Sequence, residues 1–317
     1  MKSLLTDKVI NILEDRNFSV CDCRGTRSCF DIFAKREKIL LIKILVNIEG
    51  LTRELAMELE FASFSLSSTS IIIGERMKNA NLRDGVVYTR YGVNVFTPAT
   101  LKYILDEVSP LIYAVRGDYV VNVGSEMLKN LRTEAKMTMQ ELADELKISK
   151  QSIYRYEHSG VIPLNVVSEL IEFFDDFNES DIKFKNNINN IFEEPKIEYQ
   201  KNQDKIKSES INKHLTDLMK KVICEFNHIG FSTKSVNAPF DILAKEEKED
   251  RIFTVVSNDP RTLKKKIKIV KEISDITNSY KICVSEKKQD VDILLMKPDD
   301  LKEIRNSKEL IRLLIES

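Results

Sequence analysis

The sequence predicts two fold classes in one chain: an α/β unit that occurs twice, and an all-α bundle set between the copies. Three observations carry that expectation. An ordered set of landmarks repeats near both ends, a central stretch has helical apolar spacing throughout, and a polar, asparagine-rich segment follows it. At roughly 100–200 residues per domain, 317 residues suggest two or three domains. The expected boundaries are an α/β unit over 1–115, a helical domain over 122–177, a linker over 178–210 and a second α/β unit over 211–317. With 42% hydrophobic residues, 9 Gly and 7 Pro, the composition excludes a wholly disordered, collagen-like or low-complexity chain.

The first unit opens on an amphipathic helix through Val9 and Leu13, then a short segment with Phe18. Next comes Cys29-Phe30-Asp31-Ile32-Phe33-Ala34-Lys35, an apolar strand from Ile39 to Leu45, a helix opening near Arg53 and a strand at Ile71-Ile72-Ile73. The unit closes with Thr97-Pro98-Ala99-Thr100-Leu101 leading into Lys102-Tyr103-Ile104. The second unit repeats this order. A helix from Leu218 to Phe226, Phe231, then Pro239-Phe240-Asp241-Ile242-Leu243-Ala244-Lys245 precede a strand from Ile252 to Val256. A helix near Arg261, a strand at Ile282-Cys283-Val284 and Lys297-Pro298-Asp299-Asp300-Leu301 complete it. Five landmarks in one order argue for duplication rather than chance.

The middle of the chain reads as wholly helical. Met127, Leu128 and Leu131 share one helix face, as do Leu142, Ala143 and Leu146. Thr138 with Glu141 three residues on is a capping box, which starts a helix there. Ala143 is small where two helices must approach, Ile148 fills a turn, and Ser149 caps a second helix that turns Ile153 and Tyr156 inward. Lys150, Gln151, Ser152, Tyr154 and Arg155 are left outward, with Lys147 just before the helix. From Lys147 through Tyr156 there is no acidic residue. Gln pairs with adenine, Lys and Arg with guanine or phosphate, and Ser with either, so these side chains suit a DNA groove.

This stretch resembles the lambda-repressor-like (Cro/XRE) helix-turn-helix family over residues 122–177. Met127 to Arg132 fit its first helix; Ser159-Gly160-Val161-Ile162-Pro163, then Val166, Val167, Leu170, Ile171 and Phe174, fit its later helices. Lys147 stands at the turn position often held by Gly, which implies a modest strain if the backbone there needs a positive φ. The resemblance implies sequence-specific binding of double-stranded DNA, as a homodimer on a palindrome with half-sites about 34 Å apart. The expected DNA-binding residues are Thr138, Gln140, Lys147, Ser149, Lys150, Gln151, Ser152, Tyr154 and Arg155.

The flanking units resemble the PD-(D/E)xK restriction-endonuclease-like fold in degenerate form. The resemblance implies a metal site of Asp and Glu with an activating Lys. In the first copy Asp31 and Lys43 match, with Glu14 a candidate helical carboxylate, but Leu41 stands where the family has Glu or Asp. The second copy has Asp241, while Thr254-Val255-Val256 lacks both acid and lysine. One carboxylate is a poor Mg²⁺ site, so Asp31 and Asp241 are expected to pair locally with lysines or cap turns. The catalytic set is therefore empty, and no metal or cofactor is expected.

Two such units around a lambda-repressor-like domain look like an archaeal family of HTH-type transcriptional regulators. That resemblance implies a regulator whose operator, effector and direction of control the residues do not name. A metal-dependent nuclease and an antitoxin-like interaction module are the alternatives. With 49 Lys+Arg against 50 Asp+Glu, net charge is -1, which excludes an all-over basic protein but not a local basic surface. The densest such run, Arg261 to Lys271, has six basic residues and no acid; a solvated helix face and a second phosphate contact both fit it. Cys21, Cys23, Cys29, Cys224 and Cys283 form no disulfide or zinc pattern. No apolar run reaches membrane length, and the start soon meets Asp7 and Lys8, so no membrane partner, no secretory signal and a cytoplasmic location are expected.

Overall fold

The repeated landmarks fold into repeated elements. The structure, a computed structural model, describes residues 1–107, 112–115, 117–174, 215–246 and 250–316. In chain order they form α1 (Lys2–Glu14), β1 (Ser19–Asp22), β2 (Ile32–Lys35), β3 (Ile39–Asn47), α2 (Arg53–Leu66), β4 (Thr69–Met77), β5 (Ala80–Asn81), β6 (Val86–Arg90), β7 (Val93–Phe96), α3 (Pro98–Leu105), β8 (Ile112–Val115) and β9 (Asp118–Asn122). Then come α4 (Met127–Glu134), α5 (Met139–Glu145), α6 (Lys150–Ser159), β10 (Val161–Pro163) and α7 (Leu164–Phe173). The last part holds α8 (Asp217–His228), β11 (Ser232–Ser235), β12 (Ile242–Lys245), β13 (Arg251–Val256), α9 (Pro260–Thr277), β14 (Tyr280–Val284), β15 (Leu295–Met296) and α10 (Ser307–Glu316). The linker expected over 178–210 lies outside the described residues.

Chain contacts divide these elements into two compact units, one of residues 1–44, 51–71 and 194–317, the other of 45–50 and 72–193. In the first unit both copies show the same register. β1 pairs with β2, and β2 with β3, all antiparallel, with Ile32 opposite Ile42. β11, β12 and β13 repeat that meander, with Ile242 opposite Thr254. β14 and β15 then add parallel strands. Both crossover helices are capped by a side chain: Thr52 accepts the Leu55 N–H at the start of α2, and Asp259 accepts the Arg261 and Thr262 N–H groups at the start of α9. Phe226, Phe231, Ile242, Ile252 and Ile282 fill the second copy's core.

The two copies also pack on each other. Cys21 on β1 donates its thiol to a Glu272 carboxylate oxygen on α9 at 3.2 Å, and Lys35 reaches the Ile276 carbonyl at 3.2 Å. Contacts of the same kind run the other way. Asn237 donates to Glu58 of α2 at 2.7 Å, Arg251 to the Leu66 carbonyl at 3.3 Å, and the Lys234 ammonium sits 4.2 Å from the Phe64 ring centroid. A helix from each copy thus leans on a strand of its sibling.

In the second unit β6 pairs with β7 antiparallel and with β8 parallel, while β8, β9 and β10 continue antiparallel. The closing landmark differs between the copies: α3 is a true helix capped by Thr97, whereas Asp300–Glu303 makes only a 3₁₀ turn. The central stretch is not wholly helical either. Val161 to Pro163 form a strand against β9, because the chain leaving α6 at Gly160 finds the free edge of that hairpin. Val121 and Val123 consequently belong to the same apolar core as Leu128, Leu142, Ile153 and Val167.

Candidate nucleic-acid interface

The turn between α5 and α6 follows from its caps. The Thr138 hydroxyl accepts the Glu141 N–H at 3.2 Å, and Glu141 accepts the Thr138 N–H at 2.7 Å, completing the capping box. Those hydrogen bonds hold the Glu141 carboxyl below its ordinary pKa. At the other end of α5 the chain turns through Lys147, whose φ of 51° is left-handed, and the Ile148 N–H returns to the Ala143 carbonyl at 2.9 Å. Lys147 therefore carries the strain its side chain implies at a position suited to Gly. Ser149 then caps α6 by accepting the Ser152 N–H at 3.1 Å.

The inner face of α6 is fixed by burial. Ile153 is fully buried, and Tyr156 packs against the cluster of Leu128, Leu142, Ala143 and Leu146. Lys147, Ser149, Lys150, Gln151, Tyr154 and Arg155 are exposed, as are Thr138 and Gln140 at the start of α5. Tyr154 is 53% exposed and stacks on His158 one turn later, with ring centroids 3.9 Å apart. Two expected contact residues are less free than their spacing suggests. Gln140 donates to Asp144 at 2.8 Å. Ser152 is half-buried, with its hydroxyl 2.9 Å from the Ser149 hydroxyl and accepting from Arg155 at 3.2 Å. The structure thus gathers Lys150, Gln151, Tyr154 and Arg155 on one outward face and leaves Gln140 committed to its own helix.

The pair that orients this helix was not singled out from the sequence. Arg132 on α4 donates to both oxygens of Glu157 on α6, at 2.6 and 3.2 Å, and to the Met137 carbonyl at 2.9 Å. The Glu157 side chain is 2% exposed, and the hydrogen bonds to it hold the Arg132 pKa above its ordinary value. The signal was present in the spacing: Glu157 follows Ile153 by four on the inward stripe, and Arg132 follows Leu128 by four. A charge at an inward position needs a buried partner. Gly160 ends α6 with φ 67°, and a Cβ there would lie 2.5 Å from the Gly124 carbonyl carbon. Only glycine lets α6 hand over so closely to β10.

The nuclease-like positions have a different chemistry. In the first copy the Asp31 carboxylate accepts Lys2 at 2.9 Å and the Ile44 N–H at 2.9 Å, with Lys43 3.6 Å away and donating to the Ser28 carbonyl. In the second copy Asp241 accepts Lys266 at 2.6 Å and the Val256 N–H at 2.9 Å. With the N–H groups that the two Asp carboxylates accept aligned, Ile44 with Val256, Leu41 corresponds to Phe253, and both are fully buried. Glu14 is exposed at the end of α1. Among the described residues no three His, Cys, Asp or Glu side chains cluster as a metal site. A divalent cation wants several oxygen ligands, and among the described residues each copy offers one carboxylate there, already held by an ammonium and a backbone N–H. These residues do not fit the metal of the fold family. Burial likewise pushes the Cys29 thiol up to about 12, far from a reactive thiolate.

Comparison with known proteins agrees with both halves of the architecture. Residues 2–110 match the PD-(D/E)XK superfamily domain, and residues 128–178 match a helix-turn-helix domain. The chain is 32% identical to a protein of Methanococcus maripaludis strain C5, covering 98% of this chain and 97% of the relative. It is 30% identical to one of Methanocaldococcus jannaschii, over 98% and 96%, and 29% identical to one of Archaeoglobus fulgidus, over 100% and 98%. All three carry the provisional name HTH-type transcriptional regulatory protein. No solved structure matches.

Fold and comparison together define a helix-turn-helix protein built onto PD-(D/E)XK-type α/β units. The chain belongs to the archaeal family of HTH-type transcriptional regulatory proteins. Among the described residues no helix is long and apolar enough to cross a membrane.

Proposed function

We propose that the protein is a sequence-specific regulator that binds double-stranded DNA by laying α6 in the major groove. One observation carries the reading: α6 has its inner face fixed by Ile153 and the Arg132–Glu157 pair, while Lys150, Gln151, Tyr154 and Arg155 stand exposed with no acid among them. A recognition helix reads bases with its N-terminal residues, so Lys150 and Gln151 reach base edges. Ser152 joins them through the acceptor capacity its hydroxyl retains. Lys147, Tyr154 and Arg155 hold phosphates, and Thr138, Gln140 and Ser149 border the groove. The protein acts in the cytoplasm as a homodimer on an inverted repeat, with the domain boundaries expected from the sequence. It is not an enzyme: the α/β units serve as a scaffold, their Asp31 and Asp241 held in lysine pairs.

Equilibrium binding separates the two roles. Gln151→Ala relaxes discrimination at one base position by about 1–3 kcal/mol. Arg155→Ala weakens all sequences alike and lowers the salt slope by about 1. An Arg155→Ala protein that changed base preference at unchanged slope would contradict the assignment.

A further inference from the structure

Helix α9 is covered on two sides and open on the third. Leu263, Ile267 and Val270 are buried, and around Ile269 and Glu272 the helix meets β1 of the sibling copy. The open side carries Arg261, Lys264, Lys265 and Lys268, all exposed. Their spacing of three, four and seven residues makes one stripe about 10 Å long at 1.5 Å per residue.

Two features of these four cations bear on what they bind. None of the four has an ion pair among the described residues, whereas Lys266, Lys271, Lys281 and Lys302 in the same copy hold Asp241, Asp292, Asp275 and Asp299. Nor does the fold ask for them: with the N-caps Thr52 and Asp259 superimposed, the first copy has Glu54, Met57, Glu58 and Phe61 at these places. Glu272, Asp275, Asp290 and Asp292 share a groove with Lys264, Lys268 and Lys271, and two of them, Asp292 and Asp275, are already held by Lys271 and Lys281.

We propose that this stripe is a second phosphate-binding surface, taking the sugar–phosphate backbone of the DNA duplex; it rests on the DNA-binding reading of α6. The duplex carries one negative charge per about 1.7 Å of its axis with both strands counted, so a stripe of that length has a phosphate within reach of each of its cations. It carries no aromatic ring on which a base could stack, so it adds affinity without sequence preference.

The test uses the full chain and a duplex of about 40 base pairs bearing the sequence the wild type selects. Affinity is measured from 50 to 200 mM salt for wild type, for Lys264→Gln/Lys265→Gln/Lys268→Gln, and for the corresponding triple Lys→Arg variant. At about 0.9 of slope per neutralised phosphate, the Gln variant loses 2–3 units of slope. Wild type should then lose about 40-fold more affinity than that variant over this salt range, with the selected sequence unchanged and the Arg variant behaving as wild type. An unchanged slope in the Gln variant overturns the stripe and leaves the helix-turn-helix reading standing. A wild type that binds duplexes without base preference contradicts that reading instead, and the slope difference on such binding still decides the stripe. A wild type that binds no duplex overturns both.

Discussion

Replacing Glu157 with Gln should loosen the helix-turn-helix more than any change on its exposed face. The substitution leaves the Arg132 guanidinium with its Met137 carbonyl bond but without the carboxylate that accepts two others, at 2.6 and 3.2 Å. Both side chains are largely withdrawn from water, 12% and 2% exposed. Removing one partner of such a pair costs about 3–5 kcal/mol, because an uncompensated buried charge remains. Replacing both by apolar residues of similar size, Arg132→Met with Glu157→Leu, recovers most of that loss. A chain of two compact units is not expected to unfold in one step, so a single melting curve is the wrong readout. Hydrogen exchange across α4 to α7 reports the local opening directly. At about 1.4 kcal/mol per decade, protection there should fall by roughly two to three and a half decades in Glu157→Gln and return in the double variant. Unchanged protection in the single variant, or a double variant as open as the single, refutes the claim that this pair holds α6 to α4.

Two further changes test the turn and the hand-over. Lys147→Gly relieves a left-handed backbone at φ 51° and should raise protection of α5 and α6 by about 1 kcal/mol, while weakening DNA binding through the lost cation; lowered protection would show the φ to be unstrained. Gly160→Ala forces a Cβ against the Gly124 backbone at positive φ and should cost about 2–3 kcal/mol. Its mark is faster exchange in β9 and β10, and wild-type exchange there would contradict the close approach.

Local chemistry made much of this fold legible. The capping box at Thr138, the Ser149 cap and the repeated Phe-Asp-Ile landmarks each depend on neighbours close in sequence, and each lies where spacing puts it. The strand at Val161 escaped because its pairing partner, β9, lies some forty residues upstream and outside the helical pattern. The lysine partners of Asp31 and Asp241 could be expected only as a type. Lys2 sits on α1 and Lys266 on α9, so register and packing choose them rather than spacing. Periodicity alone turns Ser152 outward, but the capping Ser149 hydroxyl draws the Ser152 hydroxyl back onto the helix start. Arg132 and Glu157 lie at inward positions on two different helices, so only the packing of α4 on α6 brings these two charges together.

Selection of bound duplexes from a random pool at physiological salt, using the full chain, tests the central claim most directly. An α6 that reads the major groove from a two-fold dimer predicts enrichment of an inverted repeat with half-site centres about 34 Å apart, and Gln151→Ala should degrade the preference at one position in each half. A pool that stays random after repeated rounds, while the protein retains duplexes nonspecifically, contradicts it.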